Sequence, residues 1–154
     1  MFDIDALDTK ALSQEGVTMP VRGFDGTPIV NRKGEAITLT LKGPDSTEYR
    51  ASTRAQVRKR MARSGVPDEA TVADDEADTL DILAACTIAW SGVMTKDSDD
   101  PVPFSTASVR QLYLEFPAIR DQVDVFMASR VNFTRASARS SSNSESSSSP
   151  PAST

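Results

Sequence analysis

The triplet Gly43-Pro44-Asp45 divides the sequence into two hydrophobic periodicities, and that switch predicts an α+β chain. Before it, short segments alternate apolar and polar residues, as in a half-buried strand: residues 17–22 (VTMPVR), 27–30 (TPIV) and 36–41 (AITLTL). Gly23-Phe24-Asp25-Gly26 and Asn31-Arg32-Lys33-Gly34 lie between them and are rich in residues that suit tight turns. Pro20 and Pro28 cannot donate to a ladder, which confines them to sheet edges. The β-rich part, 15–42, reads as an antiparallel meander of two or three strands. Such a meander is marginal alone, so it must pack against helices.

After the triplet the period becomes that of a helix. Residues 46–63 form the first predicted helix, with Asp45 and Glu48 placed to open it and Ser64-Gly65-Val66-Pro67 to stop it. Tyr49, Thr53, Val57 and Met61 recur every four residues along it as a narrow apolar stripe. A second helix is predicted over 68–90, acidic in its first half and apolar almost all round from Ile82. On this reading Trp90, the single tryptophan, ends the helix and Gly92 stops it. A polar stretch, 96–103 (KDSDDPVP), returns the chain to the surface, and Pro103-Phe104 brings the next helix back onto Trp90. Ser105 or Thr106 caps the third helix, striped by Val109, Leu112, Tyr113 and Phe116. Pro117 then starts the fourth, striped by Ile119, Val123, Phe126 and Met127 and extended by residues 130–133. The expected architecture is one α+β domain over 1–135. Its small N-terminal meander packs on about four helices within 45–134. Residues 136–154 are serine-rich with a Pro-Pro, cannot bury a core, and are expected to be disordered.

The residues available for chemistry are few. None of the 154 residues is histidine, which removes Ser-His-Asp and Cys-His nucleophile systems and nearly all zinc sites. Cys86, the single cysteine, sits among apolar neighbours and reads as a small buried hydrophobe. No glycine-rich phosphate loop occurs. Asp97-Ser98-Asp99-Asp100 lacks the glycine and glutamate of a calcium loop, and Asp74, Asp75 and Asp78 read as a polar helix start. No cofactor, metal or enzymatic activity is expected. No run approaches the roughly 18 apolar residues of a membrane span, and the acidic N-terminus lacks a secretory pattern.

Arg50, Arg54, Arg58, Lys59, Arg60 and Arg63 cluster on the first helix, the footprint that phosphate binding would leave. Against nucleic acid stand the net charge of −5, the acidic helix that follows, and the lack of interleaved aromatics. Antiparallel pairing of the two helices would cancel much of the field, leaving Arg50, Arg54, Arg58 and Arg60 as a face that steers partners or self-association. Trp90, Phe104, Tyr113, Phe116, Phe126 and Phe133 stand at helical spacing or beside helix ends, as core anchors or partner contacts. With Trp90 read as a core anchor, Trp90→Ala is expected to cost ~3–5 kcal/mol.

The order GPDSTEYRASTRAQ, then LAACTIAWSGV, then PVPFSTASVRQLYLEFPAIRDQVDVFMASRVNF resembles the tail assembly chaperones of long-tailed (siphophage-type) bacteriophages and prophages. The resemblance spans about residues 3–133, and its most specific parts are Trp90-Ser91-Gly92 with Pro103-Phe104-Ser105 and the spaced aromatics after it. It implies a non-enzymatic factor of the host bacterial cytoplasm, absent from the mature virion. Such a factor binds the long helical tape measure protein, keeps it soluble and helps recruit tail tube subunits. A groove on the second to fourth predicted helices is the expected binding surface. The alternatives are a structural virion component (a minor tail or head–tail connector protein) and a DNA-binding regulator using the arginine helix.

Overall fold

Both predicted turns in the first third are held by their own side chains. Asp25 Oδ1 accepts from the Thr27 amide (3.0 Å) and hydroxyl (2.7 Å), and Asn31 Oδ1 accepts from the amides of Lys33 (2.9 Å) and Glu35 (3.0 Å). The computed structural model describes residues 4–63, 69–135 and 137. Between the turns the chain makes only isolated antiparallel bridges, Arg22 with Pro28 and Val30 with Ala36. The ladder proper joins β1 (Val17–Pro20) to β2 (Thr38–Leu41), with Val17 opposite Leu41 and Met19 opposite Leu39.

The third strand is not residues 27–30. It is β3 (Thr87–Ser91), taken from the stretch predicted to finish a helix. It pairs antiparallel with β2, Leu39 opposite Trp90 and Leu41 opposite Thr87, and skips Ile88 at a bulge. The sheet order is β1-β2-β3. A continuous apolar run fits a buried helix or a buried strand equally well by period, and here unpaired β2 backbone groups select the strand. Met19, Leu39, Leu41 and Thr87 are buried, whereas Thr18 and Thr40 meet through their hydroxyls at 3.2 Å on the exposed face.

Ahead of the sheet, a 3-10 turn at Ile4–Leu7 leads into α1 (Lys10–Glu15), a short helix without a periodic signature. It lies beside the start of α2 (Thr47–Ala62), where Gln14 Oε1 accepts from the Thr47 amide at 3.0 Å. The capping residue of α2 is Ser46, not Asp45: its buried Oγ accepts from the Tyr49 amide (3.2 Å) and donates to the Gly43 carbonyl (2.7 Å). Asp45 instead receives the Arg130 guanidinium, with Nε–Oδ2 at 3.1 Å. Gly43 is required by packing. A Cβ there would fall 2.7 Å from the Phe133 ring and would also strike the Ser13 hydroxyl.

α3 (Glu69–Cys86) runs from the acidic region into the core and stops four residues short of Trp90. At its end Thr87 Oγ1 donates back to the Leu83 carbonyl at 2.7 Å. α4 (Thr106–Glu115) opens on the expected Ser105, in a reciprocal capping box with Ser108. α5 (Pro117–Ala128) opens on the expected proline, and residues 130–133 follow as a separate 3-10 turn. Leu80, Leu83, Val109, Tyr113, Val123 and Met127 join the buried face of the sheet in one core. The chain is α+β, with three antiparallel strands and five α-helices among the described residues. No helix among them is long and apolar enough to cross a membrane. The predicted stop at Ser64-Gly65-Val66-Pro67 and the tail 136–154, apart from Ser137, lie outside the described residues.

Candidate partner-binding groove

α2 packs chiefly against α3 and contributes no fully buried side chain. Its inner side carries Lys59, Arg60 and Arg63, which reach the acidic helix as the sequence anticipates. Lys59 Nζ lies 3.0 Å from Asp78, Arg63 Nη1 3.1 Å from Asp75, and Arg60 Nε 3.9 Å from the same carboxylate. Arg50, Arg54 and Arg58 belong to a different row of the helix and make no ion pair among the described residues. The steering face of four arginines is therefore reduced to three, with Arg60 engaged by α3.

Beside that row runs the apolar stripe Tyr49, Thr53 and Val57, since residues four apart stack on one helix face. The two rows and Pro44 line an open groove of about 450 Å³. Tyr49 packs against the core from below, and burial, followed by the field of Asp124, raises the pKa of its hydroxyl. Val57 is 47 % exposed and Met61, at the far end of the stripe, 82 % exposed. The Thr53 hydroxyl donates to the Tyr49 carbonyl at 2.8 Å, which occupies its polar atom and leaves its methyl to the groove.

The opening end of the groove is fixed electrostatically. Glu48 accepts from Lys42 (2.9 Å) and from Gln14 (3.1 Å), and the Lys42 bond is the chief reason its pKa falls to about 2. Asp45 is likewise held below the usual carboxylate range, first by Arg130 and next by Thr9. Both acids lie near the N-terminus of α2, where the helix dipole also favours negative charge.

The six aromatic candidates separate into two groups. Tyr113 and Phe133 are fully buried, and Phe126 packs edge-on against Phe133 with centroids 5.6 Å apart. The Tyr113 hydroxyl sits 2.6 Å from Thr87 Oγ1 in the core. Trp90, Phe104 and Phe116 lie nearer the surface. Trp90 is on β3 rather than at a helix end; its Nε1 donates to the Val102 carbonyl (3.0 Å) and its ring meets Phe104 edge-to-face at 5.4 Å. Pro103-Phe104 thus returns to Trp90 as anticipated. Phe116 is 39 % exposed beneath the Lys96 ammonium, 5.5 Å from the ring centroid. Gly92 is not a helix stop: it follows β3 at φ +81°, where a Cβ would come 2.5 Å from the Ala36 carbonyl oxygen.

On the second to fourth predicted helices, the stripes of α3, α4 and α5 turn into the core, while Leu114, Phe116 and Val125 stay exposed. The groove lies on the first predicted helix. The four-residue stripe was its signal; that Val57 and Met61 stay exposed among the described residues has no local signature. Sequence reasoning also passed over Phe24, fully exposed at the tip of the first turn. That turn is steadied where the Gln122 side chain bonds both the amide (2.9 Å) and the carbonyl (2.7 Å) of Arg22.

Among the described residues no three His, Cys, Asp or Glu side chains gather to hold a metal. Cys86 is buried, and desolvation pushes its thiol up to about 12, far from a nucleophilic thiolate at neutral pH. No family model, curated protein or solved structure matches the chain.

Proposed function

We propose that this chain is a tail assembly chaperone of a long-tailed phage or prophage. In this role it binds the tape measure protein, keeps it soluble and helps recruit tail tube subunits in the bacterial cytoplasm. The observation that carries the reading is the α2 groove, apolar along its floor and bordered by three arginines that form no ion pair among the described residues. A surface of that kind binds a helix, and the tape measure protein is a long one. The order of motifs in the sequence supplies the rest of the support.

Co-expression with the tape measure protein of the same phage tests the reading. Raised solubility of that protein and a co-purifying complex are expected; an unchanged insoluble fraction with no complex overturns it. Mass spectrometry of purified particles separates the chaperone from a structural virion component, because only the latter is present in stoichiometric amount.

A further inference from the structure

The two rows on α2 define more than a place to bind. Arg50, Arg54 and Arg58 follow one another at single-turn spacing, so they span about 12 Å along the helix at 1.5 Å per residue. The parallel row of Tyr49, Thr53 and Val57 offers an apolar track of the same length. We infer that the groove takes an amphipathic helix carrying an apolar stripe and, beside it, carboxylates at i, i+4 and i+8. Only a helix repeats both features at the pitch of α2, and an acidic one pairs three arginines that form no ion pair among the described residues, although Arg50 already sits in the field of Asp45.

Charge complementarity selects this occupant over the others. A nucleic-acid backbone would match the arginines but not the apolar track. The further cations it would need, Lys59, Arg60 and Arg63, are engaged by Asp75 and Asp78. The C-terminal tail of this chain carries one carboxylate side chain, Glu145, and no large apolar residue after Phe133, so it matches neither row. The inference rests on the reading of the chain as a protein-binding factor and adds the site and the chemistry of its partner.

The test uses the full chain and two synthetic 18-residue helical peptides, each with a leucine stripe. One carries glutamate at i, i+4 and i+8 beside the stripe; the other carries lysine there. Fluorescence anisotropy is expected to show the glutamate peptide binding at least about tenfold tighter than the lysine peptide at low salt. The triple variant Arg50→Glu, Arg54→Glu, Arg58→Glu is expected to reverse that preference, and Val57→Asp to weaken both peptides. Because these side chains lie outside the core, unchanged melting curves will certify that the variants fold. Equal binding of the two peptides, or a preference that survives the triple reversal, overturns the inference. Tighter retention of a 20-base-pair DNA duplex than of the glutamate peptide, lost in the triple variant, overturns it in favour of nucleic acid. Co-expression with the tape measure protein distinguishes the two levels. Solubilisation that persists in the triple variant sinks the groove and leaves the chaperone reading standing, whereas failure with the wild-type chain sinks that reading.

Discussion

At the residue scale, the Thr87–Tyr113 pair shows how a single buried hydroxyl constrains a core. Thr87 Oγ1 bonds both the Leu83 carbonyl and the Tyr113 hydroxyl, whereas among the described residues the Tyr113 hydroxyl has Thr87 alone. Removing one partner is therefore not equivalent to removing the other. Thr87→Val strands a buried phenol and should cost ~1–3 kcal/mol, while Tyr113→Phe should cost ~1 kcal/mol, both read from urea unfolding. The ordering is the test: a larger loss for Tyr113→Phe would contradict the geometry. Trp90 calls for a smaller loss than the sequence alone led one to expect. It is half-buried on a strand, clasped by Val102 and Phe104, so Trp90→Ala should cost ~2–3 kcal/mol. Trp90→Phe keeps most of the apolar contact and should lose ~1 kcal/mol with the Nε1 bond. The capping role of Ser105 and the start at Pro117 were legible because caps are local chemistry. The strand position of Trp90 was not, because its partner Leu39 lies far away in the chain.

At the element scale, α2 is tied to the fold by polar contacts at its two ends and by Tyr49 in its first turn. Its N-terminal acids give the pairing a definite pH dependence. Glu48 has a folded pKa of about 2 against an ordinary value of 4.5, so its contribution is present above about pH 4.5. It is lost as pH falls from there towards 2. Water screens the partly exposed pair, so the contribution at neutral pH is under ~1 kcal/mol. Melting temperatures of wild type and Glu48→Gln should differ at pH 7 and converge near pH 2. Divergence as the pH falls would show that the pairing with Lys42 is not the cause. On the groove side the expectation is different. Arg54→Glu should change unfolding free energy by no more than ~0.5 kcal/mol, since nothing in the fold is built on that side chain. The acidic helix opposite was foreseen to neutralise the basic one. Which cations it reaches follows from the rotation of α2 against α3, and the sequence carries no record of that angle.

At the scale of the whole molecule, one core lies between the buried face of the sheet and α3, α4 and α5, while α2 is placed outside it. Stability should be distributed accordingly. Native-state hydrogen exchange should show amides of α4 and α5 opening only near the global unfolding free energy, and those of α2 opening at lower cost. Uniform protection across all helices would mean that α2 is held more firmly than its contacts imply. A helix that gives the core little beyond Tyr49 can change its outer surface without unfolding the chain, which suits the binding role proposed for it. By itself the sequence determined the switch from strands to helices at Gly43-Pro44-Asp45, the turns at Asp25 and Asn31, three of the helices nearly to their ends, and the poverty of catalytic groups. Each of these is written in residues close together in the chain. Only the tertiary structure decided that residues 87–91 leave the helix to complete a sheet, and that Val57 and Met61 of the α2 stripe stay exposed among the described residues. A short apolar run satisfies either backbone until a distant strand offers its hydrogen bonds, and an apolar stripe looks the same whether or not anything packs upon it.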